Sequence, residues 1–360
     1  MAVIQEGRAV AEPNVGIVVL ARRVVGNYLL RRIIRAILTI YLVSTITFFL
    51  VRLVPGSPIE VYIYNLVNQY GIPYEEAKQQ AASLFSLDLD APIWRQYFDY
   101  MGGLLHGDFG KSLINVGTPV TTYVLKYLPW TLFSVGIGEI LSFLLGMSIG
   151  MFMAYRRGSR LDHVMTVVAS ALSSIPNYLV GMMLVVFLGV QLELFSFTAM
   201  RGTLSPGVQP GFSLTFIKDA LYHASLPITV YLLTTIGGWI LTMRSSTEST
   251  LGEDYVTVAK ARGLKERRIV TSYVGRNASL PLFTQFTISL AFVVGGSFFV
   301  EWLLNYQGIG LVLFNAIQQR DYPVLQGIFL LITISVIFAN LLADLIYARL
   351  DPRIRLVGGR

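Results

Sequence analysis

The stretch "ALYHASLPITVYLLTTIGGWILTM", residues 220–243, runs for 24 residues without a formal charge between Asp219 and Arg244. A helix rises about 1.5 Å per residue, so about 20 apolar residues cross the roughly 30 Å hydrocarbon core of a bilayer. Five more gaps read the same way. Lys126 to Arg156 encloses 29 residues with one charge, Glu139, and His163 to Glu193 encloses 29 with none. Arg276 to Glu301 leaves 24 uncharged residues, Asp321 to Asp344 leaves 22, and Arg35 to Arg52 leaves 16. The shortest suffices if its flanking arginines snorkel to the interfaces. The expected fold is an all-α polytopic membrane protein with six transmembrane helices, at 29–53, 127–155, 164–192, 220–243, 281–300 and 323–347. Composition agrees, because 54% hydrophobic and 14% charged residues leave too little charge to cover a soluble domain.

Basic residues set the orientation. With the N-terminus inside, segments 1–35, 156–163, 244–276 and 349–360 carry 6, 3, 7 and 4 Lys+Arg, together 20 of the 28. That bias predicts N-in, C-in topology and explains the net charge of +7 without nucleic acid. The Arg-rich start lacks the form of a cleavable signal, so helix one is expected to be retained. Zero cysteines exclude disulfides and thiolate metal sites in this chain.

Residues 1–28 form an N-terminal extension of undecided structure, and 348–360 a cytoplasmic tail. "VRLVPGSP" ends helix one at the outer surface, and an extracytoplasmic segment follows over 54–126. Within it Pro73, and Asp90 with Pro92, are placed to start short helices. Two readings stand open for this segment: a cap packed on the membrane bundle, or a docking surface for an external partner. Pro129 is expected to begin helix two. "YRRGSRLD" (155–162) is an inner turn, and Pro176 interrupts helix three in a manner that often lines a pathway. Residues 191–222 carry prolines and glycines suited to an outer loop.

Chemistry is sparse. "LLHGDFGKS" (104–112) imitates a phosphate-binding loop, but Leu105 stands where the loop requires glycine, and the stretch lies on the expected outer face. Three separated histidines give no metal site, and there is no nucleophile elbow or Ser/His/Asp cluster, so the chain is not expected to be an enzyme. Glu139, mid-way along helix two, reads either as a pathway or gating residue or as a buried carboxyl bonded inside the bundle. Glu301 and Asp344 fall nearer helix ends. One mid-membrane carboxylate is few for an ion-driven carrier.

The chain's polar island is "EDYVTVAKARGLKERRIV", residues 253–270. Glu253 and Asp254 suit a helix's positive start, while Lys260 and Arg262 suit its negative end. Gly263 is placed as the left-handed residue that reverses the chain, with small Ala259 and Ala261 just before the corner. "LKERRIVTSYV" then resumes helical character. A helix–turn–helix is predicted, serving as lipid-surface helix, plain connector or docking element.

From about residue 29 to 355 the sequence resembles the permease subunits of ATP-binding-cassette importers, and most nearly the B-type permeases of the dipeptide, oligopeptide and nickel branch. The resemblance is carried by "FFLVRLVPGSP", "SLDLDAPIWRQY", "LLHGDFGKS", "YRRGSRLD", "SIPNYLVG" and "MRSSTESTLGEDYV". It continues in "GGSFFVEWLLNYQGIG", "RDYPVLQG" and "NLLADLIYARLDPRIR". The island followed by "RNASLPL" resembles the family's cytoplasmic EAA-type loop, here 244–280. Of the Glu-Ala-Ala start only Ala259 agrees, since Thr257 and Val258 precede it, and the spacing from Gly263 to Pro281 is longer than in the general motif.

The resemblance implies a coupling loop in which Asp254, Tyr255, Val258, Ala259, Ala261, Arg262, Gly263, Leu264, Arg267 and Pro281 meet an ATPase. From the residues themselves, Glu139, Pro176 and Glu301 are the candidate pathway or gating residues. The implied partners are a sister C-type permease, two cytoplasmic ATPases and an extracytoplasmic solute-binding protein, in a prokaryotic cytoplasmic membrane. No cofactor is implied for this chain, with ATP and Mg held by the ATPases. Peptides are the first substrate class implied, with oligosaccharides or nickel chelates as alternatives. A membrane scaffold that docks a cytoplasmic partner without transport would use the same island.

Overall fold

The computed structural model describes residues 28–53, 58–85, 91–115 and 117–350. The first 27 residues of the N-terminal extension, the C-terminal tail from 351 and the side chain of Asp344 lie outside the described residues. The described residues are almost wholly helical. In order, the elements are α1 (Tyr28–Leu53), α2 (Pro58–Tyr70), α3 (Tyr74–Phe85), α4 (Ile93–Leu105) and α5 (Val120–Tyr155). Then come α6 (Arg160–Ser174), α7 (Asn177–Met183, running on as a π-helix over Leu184–Gln191), α8 (Phe197–Met200) and α9 (Leu214–Leu251). After the short α10 (Asp254–Ala261), α11 (Glu266–Arg268) passes through a π-helix, Ile269–Gly275, into α12 (Arg276–Val293). The last three are α13 (Phe298–Leu303), α14 (Ile309–Gln318) and α15 (Tyr322–Leu350).

Among the described residues four helices are long and apolar enough to cross a membrane: Leu30–Leu53, Val120–Tyr155, Leu214–Leu251 and Tyr322–Ala343. A fifth crossing exists if α6 and the α7 run count as one span, bent by 102°. The bend sits at Pro176, which forces Ile175 into extended backbone (φ −86°, ψ 127°) and has no N–H to continue the ladder.

Two expected boundaries differ. Helix two begins at Val120, not at Pro129: Pro119 holds the N-cap position, the Val120 N–H donates to the Gly110 carbonyl (3.0 Å), and Pro129 lies within the helix. A membrane helix tolerates one missing ladder bond when neighbours satisfy the freed carbonyl. The span expected at 281–300 is not one helix. The helical run stops at Val293, and Gly296 turns left-handed (φ 73°) against Gly310 before α13 begins. Absence of charge marked an apolar stretch but not a continuous one.

The centre of the bundle is the pairing of α5 with α9. Gly138, Ser142, Gly146 and Gly150 recur every fourth residue on α5, which brings small side chains onto one face. A Cβ at Gly146 would overlap Trp239, and one at Gly150 would overlap the Ile240 carbonyl. Across the same seam the Thr235 hydroxyl donates to Ser142 Oγ (2.7 Å) and Phe143 meets Trp239 edge to face, while Phe143 also stacks on Phe286 of α12 (4.1 Å). Close backbone approach supplies the dispersion that drives helix association where no hydrophobic effect operates. At 36 and 38 residues, both helices exceed the bilayer core.

Gly146→Leu should therefore lower the unfolding midpoint of the purified protein, at a cost on the order of 1–3 kcal/mol. Gly238→Leu, on the same seam's helix but with open space around its Cβ, should leave the midpoint within about a degree of wild type.

Candidate functional site

The α9 helix carries its last turns past Arg244 and ends at Leu251, and Gly252 and Glu253 turn the chain into α10. α10 closes as a Schellman motif. The Leu264 N–H donates back to the Ala259 carbonyl (3.3 Å) and the Gly263 N–H to the Lys260 carbonyl (2.9 Å). Gly263 has φ 71°, where an L side chain is strained, and no atom lies within 4 Å of a Cβ built there. The glycine is thus demanded by backbone conformation, not by space.

Helical spacing divides α10 into two faces. Val256 and Ala259, three apart, are buried with Ile269 and Val274, and Tyr155, Leu251, Leu264 and Tyr273 pack around them. Tyr255, Val258 and Arg262 lie on the opposite face with Ala261, all exposed, Val258 by 56%. Asn277 donates to the Tyr255 hydroxyl (3.0 Å) and steadies that ring. Asp254, at the start of the helix, and Arg267, on α11, are also exposed. Ala259 does not present itself outward as the corner reading expected. It follows Val256 by one turn and so faces the chain's own core, with Leu264 half-buried beside it. Pro281 lies inside α12, away from the corner along the sequence.

Beneath the corner a charge cluster fastens α9 to α6. The Arg244 guanidinium donates twice to Asp162, Nε to Oδ1 at 2.7 Å and Nη2 to Oδ2 at 3.0 Å, and lies 3.1 Å from Glu248 Oε1. Asp162 is buried, accepts the Gly158 N–H (3.0 Å), and donates its own N–H to the Ser159 N-cap hydroxyl (3.2 Å). A forked, two-bond pair of this kind fixes orientation as well as distance. The reading from sequence missed it. Ser159-x-x-Asp162 is a helix-start pattern and Arg244 and Glu248 are one turn apart. Nothing local, however, joins positions 82 residues apart.

The buried acids elsewhere hold the breaks in the bundle. Glu301 is fully buried; it accepts from the Thr131 hydroxyl (2.9 Å) and from the N–H groups of Gly310 (2.7 Å), Leu311 (3.3 Å) and Ser297 (3.4 Å). The carboxylate thereby covers the start of α14, while Thr131 Oγ1 accepts the Ile309 N–H (2.7 Å). Glu139 is buried and accepts from the Ser289 hydroxyl (2.6 Å). Just past Pro176, Asn177 donates to Ser297 Oγ (3.2 Å), so the break in α6–α7 meets the break between α12 and α13. The Gly-Lys-Ser stretch is occupied structurally: the Ser112 hydroxyl (2.5 Å) and the N–H groups of Leu113 and Ile114 all donate to Asp321, at the start of α15.

Comparison with known proteins fits this geometry. Residues 146–356 match the family model "Binding-protein-dependent transport system inner membrane component", and residues 25–127 match the N-terminal model of such membrane components. The chain is 33% identical over 346 residues to the dipeptide transport system permease protein DppB of Escherichia coli, spanning 91% of this chain and 98% of that one. It is 29% identical over 327 residues to the oligopeptide transport system permease protein AppB of Bacillus subtilis, with 91% and 98% covered. To the di/tripeptide transport system permease protein DppB of Pseudomonas aeruginosa it is 32% identical over 342 residues, again covering 91% and 98%. A multi-pass helical membrane chain with these matches belongs to the family of binding-protein-dependent transport system inner-membrane components, the permeases of ATP-binding-cassette importers.

Proposed function

We propose that this chain is one of two permease subunits of an ATP-driven importer, and that it carries di- and oligopeptides delivered by an external solute-binding protein. Its sister is a distinct C-type permease. Two cytoplasmic ATPases hold the ATP and Mg, and this chain itself holds no cofactor. It crosses a prokaryotic cytoplasmic membrane six times with both ends inside, the remaining crossing lying within the later part of the helical run from Ile269 to Val293. The 54–126 segment lies on the outer side. The observation that carries the proposal is α10: a short helix with one face sunk in its own chain and the other exposed within the Lys- and Arg-bearing segment 244–276. The peptide substrate is supported by the names of the relatives.

The mechanism follows from what is rigidly joined. ATP shifts the inward–outward equilibrium only by binding the partners more tightly in one state than in the other. On this proposal α10 receives that difference through Tyr255, Val258, Ala261 and Arg262. Movement of α10 passes into α9, to which only two residues link it. The Arg244–Asp162 fork carries it to α6, which leads to the Pro176 break. There the Asn177–Ser297 bond joins the two broken elements, a place where the pathway can open and close while the helix ends keep their partners. Glu139 and Glu301 serve this pathway by holding helices in register.

The reading is tested by purifying the complex and following its ATP hydrolysis. Turnover should rise when a peptide-loaded binding protein is added, and an oligosaccharide-loaded one alone raising it would contradict the substrate assignment. Gly263→Pro should abolish ATP-coupled uptake while membrane insertion remains normal, because proline can neither reach φ 71° nor donate to Lys260. Gly263→Ala should keep partial uptake at a cost of about 1–2 kcal/mol. Arg244→Ala, which strands the buried Asp162, should cost about 3 kcal/mol in stability and raise the ATP used per peptide imported. Arg157→Ala should change neither, since Arg157 is 71% exposed and lies 3.8 Å from Glu248.

A further inference from the structure

The α4 helix belongs to the segment between helix one and helix two, yet it lies against the part of α1 that must be in lipid. The Arg52 guanidinium donates to the Gln96 side chain (3.2 Å), and the Tyr97 and Thr45 hydroxyls share a hydrogen bond (2.8 Å). Phe49 stacks on Tyr97 at 5.6 Å, and Phe48 packs against Tyr97 and Tyr100. Thr45 is eight residues inside the Leu53 end of the span, about 12 Å along the helix axis. At 13 residues α4 is too short to cross a membrane itself.

Helical geometry gives α4 three faces. Gln96, Tyr97 and Tyr100 point to α1. Trp94, Phe98 and Leu105 point away from it and are 64%, 64% and 87% exposed. Arg95 and Asp99, one turn apart, form an exposed polar strip on the remaining side. On α1 beside it, Ile46, Phe49 and Leu50 are exposed as well, as on a membrane-spanning helix that meets acyl chains. An apolar face, a charged face and a tryptophan at the margin are the features of a helix lying in a bilayer interface.

We infer that α4 is an interfacial membrane helix whose Trp94–Phe98–Leu105 face is seated in the acyl chains at the Leu53 end of α1, with Arg95 and Asp99 at headgroup level. The occupant of that face is lipid, not an external protein. The inference rests on α1 being a membrane span and stands apart from any choice of substrate.

The test uses the absence of cysteine from the chain. Phe98→Cys, Leu105→Cys, Arg95→Cys and Asp99→Cys are each spin-labelled in the full-length chain, purified with its partners and placed in lipid nanodiscs, with the unmutated chain as blank. Collision rates are measured with oxygen, which concentrates in acyl chains, and with a water-soluble nickel chelate. Labels at 98 and 105 should show an oxygen-to-nickel ratio several-fold above those at 95 and 99. Equal nickel access at all four sites would place the face in water and overturn the inference. Shielding of 98 and 105 from both reagents would overturn it too, by showing a protein cover. Leu105, at 87% exposure, makes too little packing for its replacement to disturb the fold.

Discussion

A bilayer core supplies no hydrogen bonds, so each break in a helix inside it must find its partners within the protein. Buried Glu301 meets that demand in this chain, and buried Asp321 and Asp162 do the same for turns outside the core. Glu301 takes the N–H groups that open α14, Asp321 takes those of Leu113 and Ile114, and Asp162 takes Gly158 together with the Arg244 fork. Each N–H left without an acceptor in such a place would cost about 1–3 kcal/mol. The same acids tie segments far apart in sequence, such as Thr131 to Glu301 and Ser112 to Asp321.

Between those fastenings lies the glycine-faced seam of α5 and α9. Its close backbone approach makes the two longest helices one unit, reaching from the loops before Val120 and Leu214 to the polar corner. A displacement at α10 therefore has a stiff element to act on, and the Asp162 fork gives it a second route into α6. On the proposed mechanism the seam is the stiff part, and the discontinuities at Pro176 and Gly296 are where the chain bends.

Much of this was legible in the residues. Charge-free gaps located the apolar segments, Pro176 located the sharp bend, and Gly263 located the chain reversal, because each rests on a local covalent or electrostatic constraint. What was not legible depends on neighbours. Pro129 reads as a helix start but sits inside α5, since Pro119 already supplied the cap. Gly295 and Gly296 end a stretch that charge alone made continuous. Ala259 looked like part of an outer surface, and its burial emerges only from the contact with Ile269 and Val274. The charge fork and the four donors on Glu301 join residues many positions apart, which no periodicity can reveal.

The central claim is that the outward face of α10, and not its inward one, receives the ATP-driven movement. The chain contains no cysteine, so Val258→Cys and Val256→Cys can each carry a photo-crosslinker in the assembled complex. The account predicts that Val258→Cys crosslinks to an ATPase subunit in high yield and in a nucleotide-dependent manner. Val256→Cys, whose parent side chain is fully buried, should yield little or none. Crosslinks from Val258→Cys to lipid alone, or equal yields at the two positions, would contradict it.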